Sequence, residues 1–176
     1  MLPYYPALRF KLGEYTACSR LPAEILENIV PRFIIPPPKE RDPELGRAPT
    51  PDEIAYWSGR RIGRCWPFRP AFLDAQYVAS ILGDSGLARL FEVAGSYNPN
   101  LVPIATVSDL KNPLFRELIN ATVPRLGIFD HYEGFDAEQL VVDVSKLGCL
   151  PQDCVVFVDF SGADLNPELA AVTCQH

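Results

Sequence analysis

The sequence has few of the residues from which reactive sites are most often built. It carries two histidines, one methionine and two tryptophans in 176 residues. His131 has no HxH or HExxH partner, and the other histidine is the terminal His176, so no histidine-based metal site is expected. GxSxG is absent, and Cys18, Cys65 and Cys174 stand in no nucleophile context, which leaves acyl transfer without support. Neither GxGxxG after a strand nor GxxxxGK[ST] occurs. No cofactor and no metal is therefore assigned.

Long apolar runs are missing too. Nothing approaches the roughly 20 residues needed to span a bilayer, so no membrane contact is expected. The opening Met1-Leu2-Pro3-Tyr4-Tyr5-Pro6 has no basic region followed by an apolar stretch, so no signal peptide is expected either. Positive charge is in deficit: the net charge is −6, which disfavours nucleic acid as a default partner because such binding rests on phosphate neutralisation. The five cysteines are odd in number, and Cys149 and Cys154 lie too far apart for CxxC. Reduced thiols and a cytoplasmic location follow as the expectation.

What is present is a sizeable apolar fraction, 48%, with 22% charged residues, as in a globular domain. One domain over residues 1–176 is expected. The stretch Cys154-Val155-Val156-Phe157-Val158-Asp159-Phe160 is apolar, β-branched and aromatic, opened by Asp153 and closed by Ser161-Gly162. It reads as a strand buried on both faces, the kind found in parallel sheets. Five earlier stretches copy it, at residues 4–11, 30–35, 68–73, 101–107 and 126–129.

Helix signals fall between these strands. Pro22 suits a first helical position, Gly95 closes a helix over residues 85–94, and Asn112-Pro113 caps the next. Asp136-Ala137-Glu138-Gln139 resembles a capping box, and Asn166-Pro167 caps a last short helix. Residues 39–67 form a proline- and arginine-rich insert in which Thr50-Pro51-Asp52-Glu53 starts a short helix through Trp57. A segment this long after a strand is expected to be mobile and to cross the carboxyl-end face like a lid. The pattern is an α/β fold of parallel βα repeats, TIM-barrel-like but incomplete at about six units, since a full barrel usually needs about 250 residues. An open doubly wound parallel sheet is the alternative.

Tyr4-x-Pro6-x-Leu8-Arg9-x-Lys11-x-Gly13-Glu14-Tyr15, followed by Val30-Pro31-x-Phe33-x-Ile35-Pro36-Pro37, resembles the opening of the phage-type beta protein family of prophages and bacterial genomes. Phe72-Leu73-Asp74, Val102-Pro103-Ile104 and Phe157-Val158-Asp159 are similar to its later strands. The resemblance implies a TIM-barrel-like fold. Members are longer, so it also implies a truncated or short member here. Where the family commonly has Glu, this chain has Ile34, which removes one acid from the second strand. Glu14 falls in the first turn of the following helix, where a carboxylate suits the dipole, and its match to the motif implies a supporting role at the site as the alternative.

Parallel strands bring their carboxyl ends to one face, where α/β folds place their sites. Lys11, Asp74, Asp130 and Asp159 are the catalytic candidates and are expected to share one depression. His131 and Asp109 are ligand-binding candidates beside them. Several carboxylates with one Lys and one His suit acid–base work, and their oxygens suit Mg²⁺. The same residues also suit capping and Asx-turns without any chemistry. Arg60, Arg61 and Arg64, with Arg69, Trp57 and Trp66, form a basic aromatic patch suited to single-stranded nucleic acid or a phosphorylated ligand. The plainer reading is a solvated loop whose Arg stems cover Trp faces.

Three functions fit: a phage-type barrel-like protein with a carboxylate/Lys site, a non-catalytic interaction module, and a nucleic-acid or phosphate-ligand binder. The first and last strands would be open edges. They are expected either to pair directly or to be covered by a partner chain or a second copy.

Overall fold

The computed structural model describes residues 3–39, 46–121 and 123–161. The helix expected at Asn166-Pro167 lies outside them, as does Cys174. Six strands form one sheet in chain order: β1 (Ala7–Arg9), β2 (Arg32–Ile34), β3 (Ala71–Asp74), β4 (Leu101–Thr106), β5 (Leu126–His131) and β6 (Cys154–Asp159). Every neighbouring pair is parallel. Helices α1 (Leu12–Cys18), α2 (Ala23–Leu26), α3 (Pro51–Cys65), α4 (Ala79–Tyr97), α5 (Pro113–Leu118) and α6 (Ala137–Lys146) fill the connections. The sheet curls into a half-barrel. Its order never reverses, as it must in a doubly wound sheet, so the barrel-like expectation holds and the alternative falls.

Strand alternation sorts the core into two faces. On the convex side Phe33, Ile35, Leu73 and Ala75 pack under the helices with Ile62, Trp66 and Leu90. On the concave side Phe72, Val102 and Ile104 pack with Tyr5, Phe129, Val155 and Phe157. Tyr5, just before β1, meets the Phe157 ring of β6 at 6.0 Å between centroids, and both rings meet Phe72. The two ends of the sheet thus approach across the concave face through aromatic rings. The ladder itself runs from β1 to β6 without closing, so direct pairing of the first and last strands is not what occurs.

Two expectations need correction. The first concerns the sixth strand, read as buried on both faces. β3 is the strand buried at every position, whereas every residue of β6 is at least partly exposed and Val156 is 39% exposed. An apolar run is the same in sequence whether it lies at the centre of a sheet or at its edge, and among the described residues β6 is at the edge. The second concerns residues 39–67. Instead of an irregular lid with a short helix through Trp57, they include the 15-residue α3, packed on α4. Its start is the expected one: the Thr50 hydroxyl accepts from the Glu53 N–H, and the Glu53 carboxylate accepts from the Thr50 N–H.

The α3–α4 contact depends on Gly59 and Gly63. A Cβ on Gly59 would stand 2.7 Å from the Leu90 carbonyl oxygen, and one on Gly63 would stand 2.6 Å from that of Ala94. Helix α4 is also longer than the 85–94 stretch expected, and Gly83 breaks its regular geometry with φ 59°.

Candidate functional site

The carboxyl end of the concave face is built on an ion pair that sequence reading passed over. Arg32 lies inside the apolar second strand, and its Nε donates to Oδ2 of Asp74 at 2.9 Å, with Nη2 donating to the same oxygen. The Arg32 side chain is 7% exposed and that of Asp74 is 0% exposed. Gln76 completes the carboxylate's shell, its N–H 3.0 Å from Oδ1 and its side-chain amide 3.1 Å from Oδ2. The guanidinium carbon stands 4.2 Å from the Phe129 ring centroid and 5.2 Å from that of Phe157. Two aromatic faces and one carboxylate therefore replace the water that a buried cation loses. The signal for Arg32 was available: it is a single charge inside an otherwise apolar strand, which needs a buried partner.

Asp159 and His131 are register partners in the β5–β6 ladder. Asp159 accepts from the Ser161 N–H at 2.9 Å and from the Ser161 hydroxyl at 3.0 Å. The Ser161 N–H holds its carboxyl below the usual carboxylate range, with His131 and Arg32 acting in the same direction. His131 Nε2 lies 3.1 Å from the Ser161 carbonyl oxygen, and its Nδ1 lies 3.4 Å from the Glu133 N–H. Nδ1 is then the acceptor, and Nε2 carries the proton toward Ser161. Tyr132 stacks on Phe160, with centroids 5.7 Å apart, and extends the aromatic surface beside this pair.

The other expected residues are placed as follows. Asp130 is in register with Val158, one step off the His131–Asp159 rung, so alternation turns it to the convex face. Its carboxylate accepts from the His131 N–H at 2.8 Å. Asp109 closes the turn after β4, accepting from the Thr106 N–H at 2.9 Å and the Thr106 hydroxyl at 2.6 Å. Lys11 is exposed at the N-cap of α1 and makes no side-chain bond among the described residues. All five, with Asp74, sit at or just beyond strand carboxyl ends. Asp74, Asp159 and His131 occupy the concave side together; Asp130 does not join them. Arg60, Arg61 and Arg64 lie on α3, away from this set.

A cavity of about 20 Å³, lined by Asp74, Gln76, Thr106 and Asp109, has room for a single water. A larger groove of about 400 Å³ runs between α4 and α5 at the amino end of β4, where Asn98, Leu101, Glu117 and Asn120 line it. Among the described residues no group of three or more His, Cys, Asp or Glu side chains is placed to hold a metal ion. Burial pushes the Cys149 and Cys154 thiols up, the latter to about 12, so neither is a ready nucleophile. No described helix is long and apolar enough to cross a membrane.

Parallel βα units in unbroken order, curled into a half-barrel with an ion pair sealed into the concave face, define an α/β protein of the incomplete-barrel class. The chain belongs to the Beta protein family, whose model matches residues 4–173. No curated protein and no solved structure matches it.

Proposed function

We propose that this chain is a phage-type member of its family and acts through the carboxyl end of the half-barrel, with Asp159 and His131 contacting a small ligand. The observation that carries this reading is their shared rung on the concave face, next to the Arg32–Asp74 pair. Asp74 already neutralises Arg32, so the open groups at this end are chiefly acceptors. That favours a ligand rich in hydroxyl or amino groups over an anion. Phe129, Phe157, Tyr132 and Phe160 offer apolar surface beside the acceptors, as polar-ligand sites commonly do. A carboxylate held ionised beside an imidazole is also equipped for proton transfer. Lys11 and Asp109, just beyond the carboxyl ends of β1 and β4, are offered as further contacts. The four described cysteines are free thiols, which supports a reducing, cytoplasmic setting.

The test is a titration of ¹⁵N-labelled protein with polyols, amino sugars and polyamines, set against dicarboxylates and sugar phosphates. Shifts are expected at residues 129–132 and 157–161 with the first group, and Asp159→Asn should abolish them. Shifts confined to the α4–α5 groove, or unchanged in Asp159→Asn, would overturn the reading.

A second reading rests on β6. This edge strand carries no charge before Asp159, and Val156 is 39% exposed. Such an edge invites another strand, and a second copy of this chain is the proposed occupant. Light scattering should show self-association that Val156→Lys suppresses. A wild-type monomer at high concentration would refute it.

A further inference from the structure

The outer face of α3 is absorbed by neither reading. Gly59, Gly63, Ile54, Ala55 and Ile62 turn one side of the helix inward. At 100° per residue, Trp57, Arg60, Arg61 and Arg64 fall on the opposite side, at i, i+3, i+4 and i+7. Trp57 is 46% exposed, while the other tryptophan, Trp66, is 2% exposed. The Arg60 guanidinium carbon lies 5.8 Å from the Trp57 ring centroid, and the Tyr56 ring packs edge-on to Trp57 at 5.1 Å. None of the three arginines makes an ion pair among the described residues. The acids of this helix are confined to its first turn, where Glu53 is tied to Arg47 at 2.7 Å.

From this stripe we infer a docking surface for single-stranded nucleic acid. The charge argument is local. The chain is acidic overall, but residues 1–92 carry 12 Lys and Arg against 11 Asp and Glu, while residues 93–176 carry 4 against 11, so the net negative charge lies in the second half, with Asp130, Glu133, Asp136, Glu138 and Asp143 toward the β5–β6 end. Helix α3 spans the β2–β3 crossover, three strands away from β5–β6 in an order that never reverses. At roughly 4.8 Å per strand that is further than the screening length of about 10 Å at 0.1 M salt. Three guanidiniums in a row, without an ion pair among the described residues, track a phosphate backbone. An exposed indole among them gives a base a face to stack on, a combination that reads single strands without sequence preference. An acidic protein would use the arginines but has less need of the indole.

The experiment follows the fluorescence of the intact chain on titration with a 15-nucleotide oligo(dT) at 50 mM salt. Trp57 is the only exposed tryptophan among the described residues, so stacking should quench the exposed, red-shifted part of the emission. Neutralising three phosphates predicts a slope of about −2 for log affinity against log salt. Replacing Arg60, Arg61 and Arg64 by Ala together should weaken binding at least tenfold and flatten that slope. Trp57→Phe should weaken binding several-fold, and circular dichroism checks that these surface variants keep the fold. Binding that the triple variant retains, no binding at 50 mM salt, or equal quenching by polyglutamate would each overturn the inference, the last by pointing to an acidic protein. Asp159→Asn should leave the titration unchanged, which separates this site from the carboxyl-end one.

Discussion

Arg32 and Asp74 are diagonal neighbours across the β2–β3 ladder: Arg32 is in register with Phe72, and Ile34 with Asp74. The diagonal lets the guanidinium reach along the strand to the carboxylate, with Nε 2.9 Å from Oδ2. Removing one partner leaves the other charge buried and uncompensated. Arg32→Met should therefore cost about 3–5 kcal/mol in urea unfolding. The double variant Arg32→Met/Asp74→Leu should recover most of that loss, because no buried charge remains. A single variant as stable as the wild type would mean that the pair is open in solution.

Glu53 makes the stability of α3 depend on pH. Its carboxyl is held at about 2 by Arg47 and by the Thr50 N–H. The unfolded chain returns it to about 4.3. The folded value is the lower one, so the contribution is complete above the unfolded value and disappears as pH falls from about 4.3 through 2. Glu53→Gln keeps an acceptor for the Thr50 N–H but loses the charge. Its melting temperature should fall below that of the wild type at pH 7, and the gap should close toward pH 2. A gap that persists at pH 2 would assign the effect to packing instead of charge.

Helices α3 and α4 should show opposite responses to the same substitution. Gly63→Ala places a methyl 2.6 Å from the Ala94 carbonyl oxygen and 2.7 Å from the Tyr97 Cβ, so the helices must separate. A loss of about 1–3 kcal/mol is expected. Gly95→Ala meets nothing within 4 Å and should gain about 0.5–1 kcal/mol from helix propensity. Thermal melting would show the two shifts, about 2–4 °C per kcal/mol at this chain length. Equal shifts of the same sign would show that the close helix contact is absent.

Much of the site was legible as placement and little of it as contact. Asp74, Asp159 and His131 were expected at strand carboxyl ends because each closes an apolar run, and they are there. Asp130 met the same criterion yet falls on the other face, since one residue of register reverses a side chain's direction. A lone charge in the apolar second strand calls for a buried partner, but that partner lies 42 residues away and no local pattern names it.

The sequence by itself determined the count and parallel sense of the strands, and left their order in the sheet open between an incomplete barrel and a doubly wound arrangement. Apolar runs, proline caps and helix stops are short-range, and each stretch states its own conformation. It determined the family too, through the opening Pro-x-Leu-Arg-x-Lys-x-Gly-Glu-Tyr stretch. Only the tertiary structure decided that residues 51–65 form a full helix seated on α4, because that depends on two glycines meeting another helix's backbone. Only it decided that β3 is buried at every position while β6 is partly exposed along its length, and that Arg32 closes on Asp74. Those outcomes depend on the curl of the sheet and on what lies beside each strand, and a run of residues carries no information about its neighbours in space.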